Sequence, residues 1–165
     1  LMLTTKLPFS HLLQVVNMIS VQENDFSVGD EYQALINNAK TEGAVVTFVG
    51  LVRDINQGQS VNSLTLEHYP GMTEKSLTAI VEQAKQRWPL GKVRVIHRVG
   101  ELALSDQIVF VGVTSRHREA AFNACQFIMD FLKNQAPFWK KETTQAGEKW
   151  VEFNDKDQHA MQRWQ

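Results

Sequence analysis

The stretch from Phe131 to Thr143, FLKNQAPFWKKET, places amines among aromatic side chains. Lys133 and Lys140 lie on either side of Pro137 in this stretch. Partial desolvation would lower the pKa of a lysine in such surroundings, and its neutral amine could then act as a base or a nucleophile. The alternative is that both are surface lysines whose stems lie along apolar neighbours while their amines reach water. Residue types alone leave both interpretations open.

A helical pattern leads up to Lys133. It runs from Arg116 to about Gln135, and Pro137 ends it. One apolar stripe is expected to face the core: Ala121, Ala124, Cys125, Ile128, Phe131 and Leu132. A second face follows i, i+4, i+7 and i+11 spacing and carries Phe122, Gln126, Met129 and Lys133. A lysine that simply met water would not need Phe and Met leading up to it, so this face favours a cleft.

The start of the same helix is cationic. Thr114 or Ser115 is the candidate N-cap, and the predicted first turn holds Arg116, His117 and Arg118. Cations there oppose the helix dipole at a cost of roughly 0.3–1 kcal/mol each. A bound phosphate would offset that cost, whereas neutralisation by Glu119 and distant carboxylates is the alternative. Arg53, at the end of an apolar strand, is a further candidate anion ligand.

The remaining pattern predicts a mixed fold. Strands are predicted at 44–52, 61–69, 92–99 and 107–115, with a helix at 73–88 and a hairpin within 138–153 whose turn lies near Ala146 and Gly147. The first two strands are expected to pair as a hairpin. Because strands and helices mix without regular βαβ alternation, the prediction is an α+β fold with a mixed, mostly antiparallel sheet and two main helices.

Composition limits the classes of function. The 165 residues include 17 basic and 18 acidic ones, so no global field attracts nucleic acid or an anionic membrane. No apolar run approaches the roughly 20 residues that span a bilayer. We expect one domain at 18–153, a tail at 154–165 that forms a short helix, and residues 1–17 to be upstream or extraneous sequence before a natural start at Met18.

The cysteine and the strand histidines are predicted to be structural. Cys125 is the only cysteine, which excludes a disulfide framework and fits a reducing, cytoplasmic compartment. A persulfide role is less favoured because Cys125 lies on the inward stripe. His68 and His97 lie on mostly apolar strand faces. Without HExxH or CxxC spacing, we predict neither a metal nor a cofactor.

Several blocks, in order, resemble the MoaE family, the large subunit of molybdopterin synthase. The similarity covers approximately residues 25–153, and the blocks are DFSVGDEY, GAVVTFVGLVRD, LTLEHYPGMTEKSL, RWPLGKVRVIHRVGEL, IVFVGVTSRHREAAF and FIMDFLKNQAPFWKKE. The resemblance implies an α+β fold of the hammerhead type. It also implies conversion of cyclic pyranopterin monophosphate to molybdopterin, with two sulfurs supplied by the thiocarboxylated Gly-Gly terminus of a small ubiquitin-like subunit of the MoaD type. Two large subunits would form the central homodimer of a heterotetramer.

The resemblance also assigns roles to residues. Lys133 and Lys140 correspond to the two catalytic lysines near the incoming tail. The positions that match phosphate ligands, contributed by both subunits of the dimer, are Arg53, His117 and Arg118, and those that match pocket residues are Phe48, Met129 and Glu142. Where some relatives carry an arginine, this chain has Asn154. The alternatives are a non-catalytic docking partner of a ubiquitin-like protein and a phosphate-ligand binding module.

Overall fold

The computed structural model of the chain describes residues 18–56, 59–60, 62–151 and 155–165. The expected extension at 1–17 lies outside these ranges. Within them the helices are α1 (Val28–Ile36), α2 (Met72–Arg87), α3 (Arg118–Gln135) and α4 (Asp155–Gln162). The strands are β1 (Ile19–Gln22), β2 (Ala44–Leu51), β3 (Ile55–Asn56), β4 (Gln59–Ser60), β5 (Ser63–His68), β6 (Leu90–Arg98), β7 (Gly100–Ala103), β8 (Gln107–Ser115), β9 (Phe138–Thr144) and β10 (Gly147–Trp150).

The first four-stranded sheet has the order β1-β6-β8-β2, in which β1 and β6 are parallel and the other pairs antiparallel. Both of its faces are covered. Alternate residues of β8, such as Val111 and Val113, pack in the core that α2 and α3 share, while Phe110 packs with Leu35 of α1. This two-sided packing explains the nearly continuous apolar run of β8 and confirms the deep burial that it predicted.

The second four-stranded sheet has the order β10-β9-β5-β7 and is antiparallel throughout. Leu64 and Leu66 of β5 point into a small core with Leu102 of β7, and Phe138 packs against it. The predicted hairpin within 138–153 is confirmed, since β9 and β10 pair across a turn that places Gly147 at a φ of 113°. A positive φ is readily adopted by glycine, which explains this residue at the turn.

The predicted hairpin between the strands at 44–52 and 61–69 is wrong. Strand β2 pairs along its length with β8, whereas β5 lies between β9 and β7 in the other sheet. The connection between them contains its own short ladder, in which β3 pairs with β4. Adjacency in sequence favours pairing, but here distant strands of matching apolar pattern provide the partners.

The predicted N-cap of α3, Thr114 or Ser115, is also wrong. The N-cap is His117, so Arg116 and His117 precede the helix and only Arg118 of the three cations lies inside it. The hydroxyl of Thr114 accepts a hydrogen bond from the Lys92 amide at 2.7 Å, and that of Ser115 donates to the Pro89 carbonyl at 2.8 Å. Both side chains are buried in β8 and serve the sheet rather than the helix.

The α+β class with two main helices, α2 and α3, is confirmed, with the strands divided between two four-stranded sheets and the short β3-β4 pair. Helix α1 has no counterpart in the predicted pattern. Its start nevertheless carries a cap signal, because the Ser27 hydroxyl accepts from the Asp30 amide at 3.2 Å. Among the described residues, no helix combines the length and the apolar character that crossing a membrane requires.

Candidate active site

A cleft of about 820 Å³ lies where the end of β2, the last turn of α3, strands β9 and β10 and the start of α4 meet. Its volume is in the range of small-molecule sites. Six of the predicted site residues line it together: Phe48, Arg53, Met129, Lys133, Lys140 and Glu142. The fold therefore brings the two lysines into one cavity with the predicted pocket residues.

A sharp reversal of the chain places the two lysines side by side. Lys133 is in the last turn of α3, which ends when the Ala136 amide donates to the Leu132 carbonyl at 3.3 Å. Pro137 then prevents the helix from continuing. The chain returns as β9 against β5, and Lys140 comes back beside Lys133 within the cleft.

The pleat of β9 selects which side chains face inward. Phe138, Lys140 and Glu142 alternate along one face, opposite His68, Leu66 and Leu64 of β5. Glu142 is only 9% exposed, and the charge of its carboxylate acts on the Lys140 amine two residues away. The strand thus delivers one aromatic ring, one amine and one carboxylate to the same side of the sheet.

The surroundings of Lys140 change its acidity. Burial lowers the pKa of Lys140 to about 8, and the neighbouring Lys133 acts in the same direction by charge and hydrogen bonding. The carboxylates of Asp157 and Glu142 oppose these effects. With a pKa of about 8, a useful fraction of Lys140 is neutral near neutral pH, as an amine that accepts a proton or an acyl group requires.

His97 lies behind this cleft. Its ring stacks on Phe138 with 3.9 Å between centroids, and Nδ1 lies 2.9 Å from the Arg98 carbonyl. Burial lowers the pKa of His97 to about 3, and the positive charges of Lys140 and Lys133 contribute, so the ring is neutral at physiological pH. These contacts support the interpretation of His97 as a structural histidine.

Cys125 is buried in the core beside α2. Burial raises the pKa of its thiol to about 12, which keeps the sulfur protonated and unreactive. This environment supports the prediction of a small core residue over a persulfide carrier. Within the ranges that the structure describes, no group of three or more His, Cys, Asp or Glu side chains is arranged to hold a metal ion.

The predicted phosphate ligands are divided between two places. Arg53 lines the cleft, but His117 and Arg118 are at the opposite end of α3 from Lys133. Lys133 is fifteen positions after Arg118, which corresponds to about 22 Å along a helix. One chain therefore does not bring all the predicted ligands together. The expectation about Asn154 falls outside the described residues.

Sequence reasoning missed several cleft residues, among them Asn134, Trp150 and Asp157. Asn134 follows Lys133 directly, and its side-chain amide donates to the backbone carbonyls of Asp130 and Asp157. Trp150 is half-exposed at the end of β10. Asp157 enters from α4, a helix whose position against α3 has no signal in the local sequence.

The fold and the cleft define an α+β protein with paired lysines in a cavity that is lined by both polar and apolar side chains, and comparisons with known proteins give its family. Residues 21–135 match the family model described as MoaE protein. Molybdopterin synthase catalytic subunits from Vibrio cholerae and Escherichia coli are 59% and 61% identical, over 89% and 88% of this chain and 97% of each relative. The solved structure of the molybdopterin biosynthesis MoaE protein from Burkholderia ambifaria superposes with a TM-score of 0.77 at 48% identity, covering 90% of this chain and 98% of that one. The chain belongs to the MoaE family.

Proposed function

We propose that this chain transfers sulfur to a pterin phosphate in the cleft that holds Lys133 and Lys140. Membership of the MoaE family, with about 60% identity to molybdopterin synthase catalytic subunits over nearly their whole length, makes it an enzyme of molybdopterin synthesis. The observation that carries the proposal is the shared cleft: both lysines, Arg53 and Glu142 line one cavity together with apolar side chains such as Phe48 and Met129.

The substrate is cyclic pyranopterin monophosphate, and two sulfurs are added to it in turn. Each sulfur arrives as the thiocarboxylate at the Gly-Gly terminus of a small ubiquitin-like subunit. The cations of Lys133, Lys140 and Arg53 in the cleft suit two anionic reactants, the substrate's phosphate and the thiocarboxylate. A further subunit is in keeping with relatives that are themselves named as catalytic subunits.

Lys133 assists attack of the thiocarboxylate sulfur on the pterin side chain. It acts as a proton-transfer group or stabilises the negative charge that develops. Lys140, whose pKa is lowered to about 8, positions the tail or receives its acyl group. Phe48 and Met129 line the same cleft with apolar surface, which limits competition from water.

The active enzyme is the central homodimer of a heterotetramer. Because about 22 Å of helix separates Arg118 from Lys133, the substrate's phosphate meets His117 and Arg118 of a second copy rather than those of the same chain. Arg53 completes the phosphate site from the cleft side. The cytoplasm is the proposed location, since the single cysteine is a buried free thiol and its chemistry suits a reducing compartment.

The test is reconstitution with cyclic pyranopterin monophosphate and the thiocarboxylated small subunit, with the dithiolene product followed by mass spectrometry. Lys133→Ala is expected to reduce turnover by roughly 10²–10⁴-fold while leaving subunit binding measurable. Lys85→Ala is the matched control, because Lys85 is an exposed lysine in the last turn of α2 and does not line the cleft. Near-normal turnover by Lys133→Ala would remove that residue from the mechanism. Binding without product by the native chain would instead make the protein a docking partner.

A further inference from the structure

Helix α4 and the residues that follow it are fixed to the body of the protein through a ring cluster. The Trp164 ring meets the rings of Trp88 and Phe127 edge to face, with centroids 5.5 and 5.6 Å away. Its indole N–H donates to the Asp130 carboxylate at 2.7 Å, and Arg163 lies 3.9 Å from the same carboxylate. These contacts hold the carboxyl-terminal end of α4 against α2 and α3.

A second set of contacts holds the start of α4. The side-chain amide of Asn134 donates to the Asp157 backbone carbonyl at 2.6 Å and to the Asp130 carbonyl at 2.7 Å. Asn134 directly follows Lys133, so the first turn of α4 is tied to the same helical turn that carries this lysine. Both ends of α4 are thus attached to α3, and Asp157 is positioned as part of the cleft lining.

The position of Asp157 matters because the cleft holds several positive charges. Lys133, Lys140 and Arg53 bring three cations into one cavity. The titratable groups that act on Lys140 or lie behind it belong to different elements: Lys133 of α3, Asp157 of α4, Glu142 of β9, and the histidines His68 of β5 and His97 of β6. The two carboxylates are therefore the groups in this set that favour a charged Lys140, one from its own strand and one from α4.

We propose that Asp157 is a positioning residue of this site: α4, tied at both ends to α3, delivers its carboxylate into the cleft as a counter-ion of the Lys133–Lys140 pair. The carboxylate acts across the cleft by its charge and offsets part of the repulsion between the two amines, while Lys133 faces the reacting sulfur. Asp157 acts through the lysines and does not touch the reacting atoms. The inference about catalysis rests on the proposed function, whereas the inference about Lys140 does not.

The primary measurement is the pKa of Lys140 in the full-length folded chain, taken from the pH dependence of its acetylation by acetic anhydride and read by mass spectrometry. Asp157→Asn is expected to lower this pKa by roughly 0.5–1 unit, because an opposing carboxylate is lost. At pH 7 the labelling rate of Lys140 then rises roughly two- to fivefold. Asp157→Glu keeps the charge and is expected to restore most of the native value.

Glu148→Gln is the matched control, since it removes a carboxylate that lies 3.6 Å from Lys141, a lysine outside the cleft lining. It should leave the labelling of Lys140 unchanged. If Lys140 in Asp157→Asn titrates as in the native chain, the counter-ion role is overturned. A pKa of Lys140 in Asp157→Glu that stays as low as in Asp157→Asn would also count against this role.

Turnover of the reconstituted enzyme separates this inference from the proposed function. Asp157→Asn should shift the pH profile of kcat to lower pH, in parallel with the measured pKa of Lys140. If Asp157→Asn lowers the pKa of Lys140 as expected but the native chain shows no turnover, the proposed function is contradicted and the counter-ion role of Asp157 stands. If the native chain turns over and the pH profile of kcat is the same in Asp157→Asn, only the catalytic part of the inference is contradicted.

Discussion

Lys140 and Lys141 are consecutive residues of β9, yet the fold gives them different surroundings. Lys140 faces the cleft beside Lys133, and burial lowers its pKa to about 8. Lys141 projects to the other face of the strand, where its amine lies 3.6 Å from Glu148 and 5.8 Å from the centre of the Trp150 ring. The difference arises from the two-residue period of a strand.

The comparison shows how an ordinary lysine becomes a reactive one. Lys140 and Lys141 are the same residue type, so any difference between them comes from their surroundings. What differs is that burial and a neighbouring cation outweigh the two carboxylates that act on Lys140, while Lys141 lies beside a carboxylate whose side chain is mostly exposed. A reactive amine here is therefore a property of strand register, and a shift of one residue would exchange the two roles.

The largest expected difference is in turnover. Lys140→Ala should reduce the rate of dithiolene formation by about 10²-fold, because a group that positions the tail or accepts its acyl end is lost. Lys141→Ala should change the rate by less than about twofold, since Lys141 does not line the cleft and its partner Glu148 is 63% exposed. The rates are to be compared in the reconstituted enzyme at saturating small subunit. Equal losses in the two variants would show that the face of the strand does not decide function.

The next difference concerns stability on the two faces. Phe138→Ala removes a ring that stacks on His97 and packs against the small core of the second sheet. It should lower the free energy of unfolding by about 2–3 kcal/mol. Trp139→Ala removes a ring that is 48% exposed and should cost about 1 kcal/mol or less. Urea unfolding at pH 7 measures both, and a larger loss for Trp139→Ala would contradict the assignment of faces.

The strands and the helix end that surround Lys140 were largely predictable from the sequence. The alternation of Leu64, Leu66 and His68 indicated β5, the continuous run at 107–115 gave the bounds of β8, and Pro137 marked the end of α3. These signals are local because burial on one face or both imposes its period on the sequence. The cluster of Lys133 with Lys140 also follows from local pattern, since a helix end and a strand separated by a proline return the chain on itself.

Other features were not predictable because distant residues create them. The partner of β2 is β8, about 60 residues further on, so no local pattern excluded a hairpin with β5. Likewise, Asp157 enters the cleft only because Trp164 and Asn134 dock α4 against α3. The acidity of Lys140 depends first on burial, and then on Lys133 and on the Asp157 and Glu142 carboxylates, which come from different elements. Such packing is decided by the whole fold rather than by any one segment.

The smallest expected difference is in how stability depends on pH. A lysine whose pKa is about 8 when folded and 10.5 in its ordinary state binds fewer protons in the folded chain between these two values. Stability therefore increases as the pH rises from about 8 to 10.5, since the unfolded state alone retains the proton. Below pH 8 both states are protonated, and the cost of the charged, partly buried amine is constant.

Lys140→Met isolates this contribution. Relative to the variant, the native chain should gain on the order of 1–2 kcal/mol between pH 8 and 10.5, a figure reduced from the full shift because the amine is partly exposed. Lys141→Met is the matched control, and its difference from the native chain should stay nearly flat over the same range. Thermal or urea unfolding at half-unit steps of pH measures both slopes. A flat difference for Lys140→Met would mean that this amine is as well solvated as its neighbour, and the contrast between the two faces of β9 would then rest on contact with the substrate alone.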